Sequence, residues 1–275
     1  MKSIKIALLD MNDNRVNQGF KNIKEIAETF CSGCDVPVSV ESFDVRFKNE
    51  MPEVEDYDIF ISSGGPGDPH PVGEVWEKRF ADFLDKIYSL NENSVAKKHV
   101  FLICHSFQMA AIHWKLGDVT LRKSYSFGIM PVHKTEEGEN DFIFKNLPEP
   151  FFAVDSRAYQ FIHPDFDRFE KLNMQVLAIE KLRPYVDLER AVMAVKFSEE
   201  IYGTQFHPEA NPEGMLENLK DEKNKLAMIE SFGMEKYLET VTRIHDDDKI
   251  RLTQAHILPK FLQRAKDQIL EMQAV

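Results

Sequence analysis

The stretch His99-Val100-Phe101-Leu102-Ile103-Cys104-His105-Ser106-Phe107-Gln108-Met109-Ala110-Ala111 decides the fold. Val100 to Ile103 form a short apolar, β-leaning run, whereas Phe107 to Leu116 space their apolar residues as a helix does, so Cys104 falls at a strand-to-helix junction. A side chain on such a tight turn projects away from the sheet, and the positive end of the following helix favours a negative charge there. Cys104 is therefore a candidate nucleophile, against the plainer reading of a buried structural thiol.

Outward from the junction, strands and helices alternate. Ile4 to Leu9 reads as a buried parallel strand running into the polar residues Asp10, Asn12 and Asp13, and Val16 to Phe30 carries helical spacing. Val38 to Val45 alternates as a second strand with one slip in phase at Glu41-Ser42, and Tyr57 to Ile61 gives a third that enters Ser62-Ser63-Gly64-Gly65-Pro66-Gly67. Val75 to Leu90 is amphipathic, with Trp76, Phe80, Phe83, Leu84 and Ile87 on one side. This alternation predicts a three-layer α/β/α fold with a mostly parallel central sheet, whose ligands gather at the carboxyl ends of the strands.

Past Cys104 the pattern shortens. Val119 to Val132 and Phe151 to Val154 read as shorter strands with turns between them, and 176–179, 191–197 and 202–206 complete the β content. From Glu213 onward the chain is rich in Leu, Lys, Glu and Met, which predicts helices over 213–243 and 249–273 with Asp246-Asp247-Asp248 capping the second. The expected organisation is a unit over residues 1–212 and a helical C-terminal extension over 213–275 packed on it.

Composition narrows the function. With 34 basic and 46 acidic residues the formal charge is −12, which disfavours nucleic acid and anionic membrane partners. The three cysteines, Cys31, Cys34 and Cys104, are too few for a disulfide framework, and no apolar run approaches the ~18 residues of a membrane span. A strand-like N-terminus that meets Asp10 early lacks the apolar core of a signal peptide, so a cytoplasmic location is expected. Cys31-Ser32-Gly33-Cys34 closes a helix rather than opening one, so Gly33 as a helix cap is a simpler reading than redox chemistry. The remaining histidines show no metal-ligand spacing, and Gly64 to Gly67 lacks the Lys-Ser/Thr of a phosphate loop, so neither metal nor cofactor is expected.

Three separated segments supply what thiol catalysis needs. In His207-Pro208-Glu209 the proline favours an extended backbone, which puts His207 and Glu209 on the same side. His207 can then take the Cys104 proton while Glu209 orients its ring. The exposed N–H groups of the Gly64–Gly67 turn, with the amide of His105, can hold a developing oxyanion.

Ser63-Gly64-Gly65-Pro66-Gly67, Cys104 with Gln108 four residues on, and Gly203-Thr204-Gln205-Phe206-His207-Pro208-Glu209 resemble, in order and spacing, the motifs of the class I (triad) glutamine amidotransferases. Within that family the chain looks most like stand-alone, GMP-synthase-like amidotransferase domains. The resemblance spans residues 4–212 and implies a flavodoxin-like sheet and a glutaminase reaction. It assigns catalysis to Cys104, His207 and Glu209, oxyanion binding to Gly65 and His105, and substrate contacts to Gly64, Gln108 and Ser156. Leu102 and Ser106 replace the elbow glycines, Phe107 stands where a histidine is frequent, and Ser126-Phe127-Gly128 replaces a glutamate-x-glycine. Leu102 is expected to pack near the thiol and narrow its pocket.

The leading expectation is a hydrolase that releases ammonia and glutamate from glutamine. An acyl transferase or γ-glutamyl peptide hydrolase with the same triad, and a non-catalytic binding module that keeps the fold, remain alternatives. A separate synthetase subunit accepting ammonia is an implied partner, and for the C-terminal helices of 213–275 docking to a partner or to a second copy of the chain is a further expectation.

Overall fold

Apolar alternation along Ile4–Asp10 splits between two cores. Ile4, Ile6 and Leu8 face one layer and Ala7 and Leu9 the other, as a strand buried on both sides requires. The computed structural model describes residues 3–185 and 187–272. In chain order it contains β1 (Ile4–Asp10), α1 (Gln18–Ser32), β2 (Val38–Asp44), β3 (Ile59–Ser62), α2 (Val75–Asn93), β4 (His99–Ile103) and α3 (His105–His113). Then come β5 (Asp118–Lys134), α4 (Glu136–Asn140), β6 (Phe151–Ile162), α5 (Phe166–Lys171), β7 (Gln175–Glu180), β8 (Val192–Lys196) and β9 (Ile201–Thr204). The chain continues through α6 (Pro212–Lys220), α7 (Glu222–Phe232), α8 (Met234–Arg243), α9 (Leu252–Gln254) and α10 (Ile257–Met272).

The strands form one nine-stranded sheet in the order β2-β1-β3-β4-β9-β8-β7-β5-β6. From β2 to β9 the neighbours are parallel, and from β9 to β6 they are antiparallel. Ile23 and Ala27 of α1 and the Ile257, Phe261, Ala265 and Ile269 face of α10 cover one side. Phe80, Phe83 and Leu84 of α2 and Phe107 and Ala110 of α3 cover the other. The result is a mixed α/β sheet between helical layers, and its parallel half ends at the Cys104 junction.

Three expectations change. The segments read as short strands form a long antiparallel pair, β5 of 17 residues and β6 of 12, with a register break between Leu121 and Ser126. The polar Asp155 and Arg157 looked like a strand end, yet they satisfy each other inside the sheet layer (Arg157 Nε to Asp155 Oδ2, 2.9 Å). The helix expected over 213–243 is broken twice. Asp221 leaves the helix to cap the Asn224 N–H, and Gly233 adopts φ +85°. Finally, Asp246-Asp247-Asp248 caps nothing by side chain, because the backbone kinks at Lys249 (φ −107°, ψ −114°) and Asp248 pairs with Lys249 instead. Gly33 does end α1, but in a right-handed conformation open to any residue. Among the described residues no helix is long and apolar enough to cross a membrane.

The C-terminal helices join the body in two places. α10 enters the main core, where Phe261 meets Phe101 edge-on at 5.2 Å. Met215, Leu219, Met228 and Ile244 from the α6–α8 region close over Ile129 and Val154 of β5 and β6 in a third cluster.

Candidate active site

β4 stops at Ile103, α3 starts at His105, and Cys104 between them takes φ +51°, ψ −98°. A left-handed backbone at a non-glycine residue costs about 1–3 kcal/mol and persists only where its surroundings hold it. Here the Cys104 N–H bonds Thr204 O of β9 at 2.7 Å. Ser106, at an expected glycine position, stitches the turn shut: its Oγ accepts from Ile103 N (2.9 Å) and lies 3.1 Å from Ser62 O at the end of β3.

The glycine turn lies against this elbow. A Cβ on Gly64 would fall 3.0 Å from His207 Cε1 and 3.4 Å from Cys104 Cβ, so a larger residue would press on both catalytic candidates. A Cβ on Gly65 would lie 2.4 Å from Met11 O, which excludes any side chain there. Arg46 secures the loop from behind, donating to Pro66 O (2.6 Å) while its guanidinium lies over the Trp76 ring. His105 opens α3, so its N–H is a first-turn donor that the helix itself leaves unpaired.

His207 is fixed by its backbone N–H to Val154 O of β6 (2.9 Å), and its Nδ1 donates to Glu209 Oε1 (2.7 Å). Burial works to lower the imidazole's pKa, but the Glu209 carboxylate and the Cys104 sulfur outweigh it and hold the pKa well above the ordinary histidine range. Glu209 is almost fully buried beside the first turn of α1, the end of a helix where a carboxylate is favoured. A Cβ on Gly19 would lie 2.8 Å from Glu209 Oε1.

A cavity of about 300 Å³ opens over this group, and its lining includes Arg15, Gly64, Gly65, Cys104, Ser156 and His207. Ser156 lines it, with its Oγ 2.7 Å from Tyr125 OH and its carbonyl 3.8 Å from Cys104 Sγ. Gln108 lies deeper: its Nε2 donates to Tyr159 O (3.2 Å) and to Gln205 Oε1 (2.9 Å). Leu102 does not narrow the cavity. It pairs in register with Gly203 and points into the α2–α3 core, where Phe107 also packs. A Cβ on Gly203 would meet the Phe107 ring at 2.8 Å, which ties the glycine of one motif to the departure in the other. Burial pushes the His105 imidazole down to about 3, with Arg46 adding to the effect, so its ring is neutral.

A profile of class I glutamine amidotransferases matches residues 17–223, most of the chain. The chain belongs to this family. Solved structures of similar fold include a glutamine amidotransferase from Methylobacillus flagellatus (13% identity, 98% of this chain and 96% of that one covered, TM-score 0.66). Another comes from Thermotoga maritima (14%, 95% and 97%, 0.63). The glutaminase domain of Trypanosoma brucei CTPS, solved with bound acivicin, is also similar (14%, 75% and 86%, 0.55). At such identities the likeness is one of fold. A search of curated proteins returns no match.

Gly19, Arg46, Tyr125 and Gln205 thus join the surroundings of this class I site without having been singled out in the sequence. Only Gln205 carried a signal, as part of the unbroken Gly203–Glu209 segment. Among the described residues no cluster of three or more His, Cys, Asp or Glu side chains could hold a metal ion.

Proposed function

We propose that this class I domain is a cysteine-dependent amidohydrolase that uses glutamine. The observation that carries the reading is the 2.7 Å His207–Glu209 bond, with the His207 ring set across Gly64 from a cysteine held at positive φ. The Cys104 thiolate attacks the side-chain carbonyl carbon, and the N–H groups of Gly65 and His105 receive the oxyanion. His207, protonated at the outset, gives its proton to the nitrogen; the C–N bond breaks and ammonia leaves. Water then attacks the γ-glutamyl thioester, His207 takes a water proton, and the C–S bond breaks to return thiolate and glutamate. Arg15 supplies a cation at the cavity rim for the substrate's α-carboxylate. Released ammonia passes to an acceptor on a separate synthetase chain.

A second reading, a γ-glutamyl peptide hydrolase, is favoured by one feature. Tyr125 and Ser156, which line the cavity over Cys104, also line a neighbouring cleft of about 300 Å³ with Phe127, Asn218 and Met228, space for a larger leaving amine. Glutamate release from glutamine and from γ-glutamyl peptides, in the parent and in Cys104→Ala, tests both. Release from glutamine that Cys104→Ala abolishes is expected; equal release by both proteins sinks the reading, and release from peptides alone selects the second.

A further inference from the structure

Two buried amides stand between the sheet and the sulfur. Tyr159 O can only accept, so the Gln108 amide must turn its nitrogen toward it, at 3.2 Å. That same nitrogen lies 2.9 Å from the Gln205 side chain, which must therefore present its oxygen. The orientation of Gln205 follows: its own nitrogen faces Cys104 Sγ at 3.6 Å. Flipping Gln205 would set two NH₂ groups against each other. Gln108 is 3% exposed and Gln205 fully buried, so water does not compete for these bonds.

On the other side of the sulfur sits Ser156 O, 3.8 Å away. That carbonyl accepts from a neutral S–H but repels a thiolate, whereas an N–H donor does the reverse. Gln205 thus joins the His207 imidazolium as a neighbour that favours the charged form, and it does so as a neutral donor that takes no part in the proton transfer.

We infer that Gln205 donates its side-chain N–H to the Cys104 thiolate, and that Gln108 is a positioning residue that locks Gln205 in the donating orientation. The inference rests on Cys104 as the nucleophile of the proposed reaction, and it adds to the substrate contact expected of Gln108 a role in supporting that nucleophile. No atom is transferred; Gln205 keeps its protons throughout.

The test is iodoacetamide alkylation of Cys104, followed by peptide mass across the neutral and alkaline pH range. Gln205→Met and Gln205→Leu keep the volume and remove the donor. Each should alkylate about three- to tenfold more slowly near neutral pH and converge on the parent at alkaline pH, the signature of a lost bond to the anion. Gln108→Met leaves Gln205 in place and should slow alkylation by less. The double variant Gln108→Met/Gln205→Met should match Gln205→Met alone, because Gln108 acts only through Gln205. Parental rates in the Gln205 variants, or in Gln108→Met should those fail to fold, overturn the inference. So does a Gln108→Met effect that persists in the Gln205→Met background. Glutamine turnover by the parent is read separately: an inactive parent whose alkylation depends on Gln205 sinks only the proposed reaction, and an active parent whose alkylation ignores Gln205 sinks only this inference.

Discussion

At Cys104 a strained backbone, a hydroxyl stitch from Ser106 and a closely packed glycine set one buried sulfur at the cavity wall beside one imidazole. In the proposed reaction His207 must be protonated when the amine leaves. Its pKa lies above the ordinary ~6.5, so the protonated form persists through neutrality and activity falls on the alkaline side of that value. Glu209→Gln removes the larger of the two charges that raise it, so the alkaline limb of the pH–rate profile should move to lower pH; a limb that stays in place contradicts this. The same pairing contributes stability below the unfolded pKa and loses it as pH rises through the folded value. Gly19→Ala probes the other side of Glu209. Its methyl would press on Oε1 from 2.8 Å, so kcat should fall about tenfold with circular dichroism unchanged.

At the level of elements, the long β5–β6 pair is the least expected part of the fold and the one that shapes the site. Its register break lies between Leu121 and Ser126, where Tyr125 meets Ser156, and β6 holds the His207 backbone through Val154. Helix α10 supports the opposite face by burying Phe261 against Phe101 and Tyr202. Phe261→Ala leaves a cavity beneath β4 and should cost about 3–5 kcal/mol in urea unfolding. A loss below about 1 kcal/mol would mean that α10 adds little to the main core.

Across the whole molecule, two buried histidines set the response to acid. Burial pushes His99 down to about 4, with Arg264 adding to it, and His105 to about 3, whereas the unfolded chain titrates near ~6.5. Between those values the unfolded state binds more protons, so stability falls as pH drops, by about 1.4 kcal/mol per pH unit for each ring. Replacing His99, whose ring lies edge-on to Phe261 with Nε2 unpartnered, tests the point. His99→Phe should lose about 2 kcal/mol less than the parent between pH 6.5 and pH 5 in denaturant titrations.

Much of this protein was legible in its sequence because the signals are local. Apolar runs of four or five residues, a glycine turn, a strand-to-helix cysteine and the spacing of His207 and Glu209 each report on a few neighbouring residues, and the family follows from their order. What the sequence hid were the features that depend on partners distant in the chain. The polarity of Asp155 and Arg157 concealed a strand because, besides pairing with each other, Asp155 accepts from Ser126 of β5 and Arg157 lies 3.4 Å from Glu180 of β7. Gly19 reads as a weak helix residue until Glu209 arrives beside it. Leu102 sits next but one to the thiol, where strand period alone would put both on one face; the positive-φ turn at Cys104 breaks that period and leaves Leu102 in the other layer. The sequence by itself determined the α/β layering and the residue types gathered at Cys104. Only the tertiary structure decided which side chains touch the sulfur, because hydrogen-bond direction between buried amides such as Gln108 and Gln205 is set by acceptors about fifty to a hundred residues away.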